Sequence, residues 1–148
     1  MEIIRRILVV CVGNICRSPM AEAVLRHALK EPEEIIVESA GLGAMVDWPA
    51  SEHAEVLMAE RGLDISSHRA RQLTPELIQK ADLILVMETG HKKAIEAEDV
   101  TARGKVFRLG EWRDTEIDDP YRQSKAAYVE ALTEIDASVA DWVERLKN

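Results

Sequence analysis

Apolar residues along this chain fall into two kinds of run, and their alternation predicts the architecture. Short continuous runs rich in β-branched residues read as strands buried on both faces. The first spans 5–10, with Ile7, Leu8, Val9 and Val10 at its heart. The second is Ile35-Ile36-Val37, leading into Glu38-Ser39-Ala40-Gly41. A third covers 83–87, and a weaker fourth covers 105–109. Between them, apolar residues three and four apart mark helices. A helix from 18 to about 29 places Met20, Val24, Leu25, Ala28 and Leu29 on one face. Others are expected from 51 to about 61, closed by Gly62, from Thr74-Pro75-Glu76 to about 80, and over 88–97. The longest, 124–146, lines up Tyr128, Leu132, Ile135, Val139, Trp142 and Leu146, which makes Trp142 a core residue and not a ligand.

Strand and helix alternation of this kind predicts one three-layer α/β domain over 1–148. Its expected centre is a four-stranded parallel sheet with helices on both faces, because parallel strands need crossover helices. No repeat, low-complexity tract or linker divides the chain. Ligands of such sheets bind beyond the carboxyl ends of the strands. Three segments meet that edge: the one after Cys11, the loop from Gly41 to Pro49, which carries Met45, Val46 and Trp48, and the loop around Asp119.

Composition narrows the partners. With 148 residues, 47% apolar and 31% charged, the chain is long enough for a substantial core. A net charge of −8 argues against nucleic acid, whose phosphates need a basic face. The clusters Arg5-Arg6 and Lys92-Lys93 are too short to supply one. No stretch approaches the roughly 20 apolar residues of a membrane helix, so no membrane insertion is expected. The run after Arg6 is short for a signal peptide, and no small-residue cleavage site follows it. Two cysteines five apart are not a disulfide framework, and a reactive thiol suits a reducing compartment, so a cytoplasmic location is expected.

The candidate chemistry lies where the first strand ends. Gly13 and Asn14 after Cys11 tolerate positive φ, and Ser18-Pro19 reads as a helix N-cap followed by proline at the first helical position. A loop wrapped before a helix start aims backbone N–H groups and the positive end of the helix dipole at one point, where an anion belongs. Cys11 opens that loop and Arg17 closes it, so the guanidinium can fold back over the space the sulfur faces, with paired donors for a tetrahedral oxyanion. A thiol in such surroundings is favoured as the nucleophilic thiolate. The loop would thus both bind a phosphate and attack it.

The segment Val10-Cys11-Val12-Gly13-Asn14-Ile15-Cys16-Arg17-Ser18-Pro19 resembles the phosphate loop of the low-molecular-weight protein tyrosine phosphatases, and Asp118-Asp119-Pro120-Tyr121 resembles their acid loop. Length and motif order agree, so the resemblance covers essentially the whole chain. It implies that Cys11 attacks phosphorus in line to give a cysteinyl-phosphate. Arg17 and the loop residues Val12, Gly13, Asn14, Ile15, Cys16 and Ser18 would hold the phosphoryl oxygens. Asp119 would protonate the leaving phenolic oxygen and later take a proton from the attacking water. In the family the acid immediately precedes the proline, which selects Asp119 over the competing Asp118. The Ser18 hydroxyl would stabilise the sulfur as a leaving group, and Asn14, Ser39 and His68 would buttress the loop. Ile15, Trp48 and Tyr121 would form a slot for a phenyl ring. Position 15 resembles a threonine in relatives specific for phosphoarginine, so isoleucine favours tyrosine. Cys16 is placed to form a reversible disulfide with Cys11 that guards it from oxidation.

No metal or cofactor is called for by these roles. The runs Asp119–Ser124 and Ser39–Gly43 look most like bacterial members that oppose tyrosine kinases of exopolysaccharide or capsule export. The expected partner is therefore a phosphotyrosine protein, such a kinase itself, acted on by a monomer. Alternatives are an arginine phosphatase or an arsenate reductase of the same fold. The latter needs further cysteines downstream, and none follows Cys16. A noncatalytic phosphotyrosine-binding module would be expected to have lost Cys11 or Asp119. A dithiol redox protein would more usually carry Cys-x-x-Cys, and would leave Arg17 and Asp119 without a task.

Overall fold

The computed structural model describes residues 3–31 and 35–147, so positions 1–2, 32–34 and 148 of the expected domain lie outside the described residues. In chain order the elements are β1 (Arg6–Cys11), α1 (Arg17–Ala28), β2 (Ile36–Gly41), α2 (Glu52–Ala59), α3 (Pro75–Lys80), β3 (Leu83–Val86), α4 (Thr89–Glu98), β4 (Val106–Arg108) and α5 (Lys125–Leu146). Short 3-10 turns cover Val100–Ala102 and Glu111–Arg113. The strands form one parallel sheet in the order β2-β1-β3-β4. β1 is thus flanked on both sides, which is why Ile7 to Val10 need to be apolar on both faces; all four are almost wholly buried.

The two-residue side-chain period of the strands divides the core. Ile7, Val9, Leu83 and Leu85 face Met20, Leu25, Ile135 and Trp142, from α1 and α5. Leu8, Val10, Ile84 and Val86 face Ile78 and Ile95, from α3 and α4. Helices therefore cover both faces, as the alternation predicts. The periodic face of α5 lies inward, and Trp142 is buried with its indole N–H donating to the Leu109 carbonyl at 2.8 Å.

Several boundaries move, each for a physical reason. β1 runs one residue further than expected and ends on Cys11, because pairing with Gly41 of β2 continues to that point. β2 starts at Ile36 and continues through the polar Glu38 and Ser39, since pairing to β1 holds a polar segment extended at a sheet edge. α1 starts at Arg17 with Cys16 at its N-cap and no side-chain cap. Ser18 is accordingly the second helical residue and not the cap. Pro19 is the third, where a missing N–H costs nothing because first-turn amides have no helical acceptor. α2 ends at Ala59, and Gly62, at φ 76°, completes the turn that follows. β3 stops at Val86, and Glu88 becomes the N-cap position of α4.

Candidate active site

The segment from Cys11 to Arg17 leaves the carboxyl end of the central strand, and its backbone polarity is set from outside. The carbonyl of Cys11 accepts from Leu42 N–H at 2.9 Å, that of Val12 from Gly43 at 3.0 Å, that of Gly13 from Met45 at 3.0 Å and that of Ile15 from Ser51 at 2.8 Å. The Asn14 carbonyl lies 2.7 Å from His68 Nε2. Since a carbonyl only accepts, Nε2 carries that imidazole's proton. Five consecutive carbonyls are thus held by the surrounding scaffold. In a planar trans peptide the N–H points opposite to its C=O, so the N–H groups of Val12 to Cys16 turn to the inner side of the loop. Among the described residues they have no hydrogen-bond acceptor. The first-turn N–H groups of α1 add to the same positive pole.

Asn14 sits in the left-handed region at φ 61° and fixes the direction of a side-chain network. Its Oδ1 accepts from the Arg71 amide at 2.9 Å, so its amide nitrogen must face the other way. Nδ2 donates to Ser18 Oγ at 2.8 Å and to Ser39 Oγ at 3.0 Å. Ser39 passes its own proton to Glu22 Oε1 at 2.6 Å. Ser18 Oγ accepts from Asn14 and so has its proton left for Cys11 Sγ, 2.9 Å away. Sequence reasoning places Ser18, Asn14, Ser39 and His68 together, and they do meet here. It misses Glu22, Arg71 and Ser51, which complete the same scaffold from distant positions.

Arg17 is almost entirely buried. Its Nη1 is committed to Glu88 Oε2 at 2.6 Å and to the Ile117 carbonyl at 2.7 Å. Nη2 lies 3.7 Å from Asp119 Oδ2. Nε is buried with no partner among the described residues, a donor left over on the side chain that closes the Cys11 loop. The Glu88 contact was not foreseen either. A charged residue directly after a buried strand, at the ligand-binding edge, is the signal that points to it.

Around the sulfur lies a cleft of about 200 Å³, floored by Cys11, Val12, Gly13, Cys16 and Arg17 and walled by Ile15, Gly43, Met45, Asp119 and Tyr121. Asp119 is 43% exposed at the mouth, and its Oδ1 accepts from the Tyr121 amide at 3.0 Å, which fixes it in the loop. Asp118 does not line the cleft; it borders a second groove with Glu116, Glu130 and Glu134, a groove that Asp119 also touches. Trp48 is the correction. It is 53% exposed and does not line the cleft, where Met45 stands in its place. The reason is the turn at Asp47, whose φ of 70° reverses the chain and bonds Trp48 N–H to the Met45 carbonyl at 3.0 Å.

Cys16 faces away from this network, with Sγ 3.1 Å from Tyr128 Oη. Burial pushes the Cys16 thiol up and the Tyr128 phenol up to about 12, so both stay protonated at neutral pH and add no negative charge beside the loop. Both cysteines are free thiols. Among the described residues no group of three or more His, Cys, Asp or Glu is arranged to hold a metal ion, and no helix is long and apolar enough to cross a membrane.

A thiol at the foot of an amide-lined cleft, with an arginine donor and a carboxylate at its mouth, defines a phosphatase of the cysteine-nucleophile class. Residues 6–148 match the family described as low molecular weight phosphotyrosine protein phosphatase, and the chain belongs to that family. It is 51% identical to a probable low molecular weight protein-tyrosine-phosphatase EpsP of Ralstonia solanacearum, over 97% of either chain. Its fold is similar to that of Vibrio vulnificus Wzb in complex with benzylphosphonate, with a TM-score of 0.91, 42% identity, and coverage of 97% of this chain and 99% of that one. It also resembles the YwlE arginine phosphatase from Geobacillus stearothermophilus, with a TM-score of 0.89, 36% identity, and coverage of 96% and 92%.

Proposed function

We propose that this chain, acting as one domain, hydrolyses protein phosphotyrosine through a phosphoryl group carried on Cys11. The observation that carries the reading is the set of five scaffold-held carbonyls from Cys11 to Ile15, which leaves the opposing N–H groups for an oxyanion next to the sulfur. In the first step Cys11 Sγ attacks phosphorus, the S–P bond forms, the P–O bond to the phenol breaks, and Asp119 gives its proton to the departing oxygen. Loop amides and Arg17 Nε and Nη2 hold the equatorial oxygens and gain strength as charge spreads in the transition state. In the second step water attacks phosphorus, Asp119 recovers a proton, and the electron pair of the S–P bond returns to sulfur. There the Ser18 hydroxyl, freed to donate by Asn14, stabilises the thiolate.

The apolar walls from Ile15, Met45 and Tyr121 suit a phenyl ring, which burial and stacking would hold. The benzylphosphonate bound by the Vibrio relative has the same ring-and-phosphoryl layout. We assign a bacterial tyrosine kinase of exopolysaccharide or capsule export as the phosphoprotein. The likeness to the Ralstonia enzyme and the 119–124 run support this. Action in the cytoplasm as a monomer goes with this assignment. A Cys11–Cys16 disulfide would protect the nucleophile from over-oxidation: a peroxide first takes Cys11 to the sulfenic acid, and Cys16 Sγ then attacks that sulfur, forming the S–S bond as the S–O bond breaks and water leaves.

Hydrolysis of a phosphotyrosine peptide by wild type and Cys11→Ser, in reductant, tests the assignment. Turnover by the first and none by the second is the expected result. Turnover retained in Cys11→Ser removes the sulfur from the chemistry. Wild-type activity confined to a phosphoarginine peptide would favour the arginine phosphatase reading that the Geobacillus relative raises.

A further inference from the structure

Arg17 is held from behind by a carboxylate that has a second claimant. Its Nη1 donates to Glu88 Oε2 at 2.6 Å, and the same oxygen lies 3.7 Å from His91 Nε2. His91 stands in the first turn of α4, is only 9% exposed, and its Nδ1 is buried without a partner among the described residues. The charged groups that face it come from three directions: Glu88 ahead of α4, Arg17 from α1, and Glu116 and Asp119 from the loop before α5. Arg108 stands behind Glu116. The chemistry above makes no use of this imidazole.

We propose that His91 is a positioning residue for phosphoryl transfer: neutral, it leaves the Glu88 carboxylate to Arg17, and protonated, it draws that carboxylate to itself. The inference rests on the phosphatase reading of the cleft. With Glu88 on Nη1, the guanidinium is pinned at one corner by both Glu88 and the Ile117 carbonyl, and its Nε edge is aligned for the phosphoryl oxygens. The carboxylate also offsets part of the guanidinium charge, which helps product phosphate leave. Protonation of His91 removes one pin and uncovers that charge, so alignment loosens while phosphate is gripped more tightly. Burial lowers the His91 pKa below its ordinary 6.5, against the smaller opposing pull of Glu88. The ring is therefore neutral at neutral pH, and it takes up its proton below pH 6.5.

The test is steady-state hydrolysis of p-nitrophenyl phosphate from about pH 5 to 8, with inorganic phosphate as inhibitor, by wild type, His91→Gln and Glu88→Gln. In wild type, kcat should fall roughly threefold to tenfold in a step below pH 6.5, while inhibition by phosphate tightens over the same step. Both changes should be missing from His91→Gln and from Glu88→Gln. Superimposable normalised profiles of wild type and His91→Gln overturn the proposal. NMR titration of the wild-type imidazole provides a readout that needs neither turnover nor a folded variant. By linkage, saturating inorganic phosphate should raise its midpoint, and an unmoved midpoint overturns the proposal. Absence of turnover in wild type at every pH would instead sink the phosphatase reading, and the imidazole midpoint would still report the coupling to the anion site.

Discussion

In the proposed mechanism Ser18 and Asp119 serve opposite ends of the in-line S–P–O array, the sulfur and the leaving oxygen. With Asn14 Nδ2 donating to its oxygen, the Ser18 hydroxyl has its own proton free for a Cys11 thiolate 2.9 Å away. Hydrogen bonds to charged groups are worth about 1.5–3 kcal/mol. Ser18→Ala should therefore slow breakdown of the phosphoenzyme by roughly tenfold to hundredfold. Stopped-flow with p-nitrophenyl phosphate would then show a burst of nitrophenol followed by a slow steady state; a uniform slowing without a burst would place Ser18 elsewhere in the cycle. Asp119→Ala acts on the oxygen instead. Its loss should cost about 10²–10⁴ with phenolic leaving groups of high pKa and much less with good ones. A loss independent of the leaving group would mean that the substitution has merely disturbed the loop that Asp119 bonds at Tyr121. Among the pocket residues, Ile15 was legible because it lies within the motif, whereas for the 41–49 loop only its place at the ligand edge was legible, not which of its apolar side chains lines the cleft. Met45 and Trp48 share one loop, and the conformation of Asp47 decides which side chain reaches the cleft.

At the level of elements, the site depends on β2 running tightly beside the phosphate loop. Gly41 pairs with Cys11, and a Cβ built there would lie 2.4 Å from the Val12 carbonyl oxygen and 3.2 Å from Ala44 Cα. Both neighbours are backbone, so the loop itself would have to shift. Gly41→Ala should cost about 1–3 kcal/mol of stability, the usual size for overpacking, and should lower kcat further, because the displaced carbonyl is one of the five that orient the loop. Urea midpoints and kcat measured on the same preparation check this; unchanged values for both would show that the segment is more pliant than its contacts indicate. The strand ahead of the loop and the helix behind it were legible, since apolar periodicity and the Gly13-Asn14 turn are properties of neighbouring residues. The helix start was misplaced by a local cue. Ser18-Pro19 has the chemistry of a cap and first position, but the loop ends earlier, and the hydroxyl bonds the sulfur.

For the whole molecule, pH acts through the one histidine that the fold buries beside Arg17. The folded state holds His91 below its ordinary pKa of 6.5, so the unfolded chain takes up this proton first as pH falls. Its contribution to stability is complete above about pH 6.5 and is lost as pH drops toward the folded value. The lowered carboxylates Asp64, Asp99, Glu116 and Asp141 act in the same direction but only in a more acidic window. Urea midpoints should thus decline as pH falls below about 6.5, and His91→Gln should flatten that decline; a decline equally steep in the variant would assign it to other groups. The amino-acid sequence by itself determined the order of strands and helices, the Cys11–Arg17 loop and the Asp119 motif, because these depend on periodicity and turn chemistry within a few residues. The tertiary structure alone decided the strand order β2-β1-β3-β4, which sets Glu88 and His91 behind Arg17 and brings Ser51 and Arg71 to the loop. Those contacts join residues tens of positions apart, and packing across the whole sheet, not local pattern, chooses which strands become neighbours.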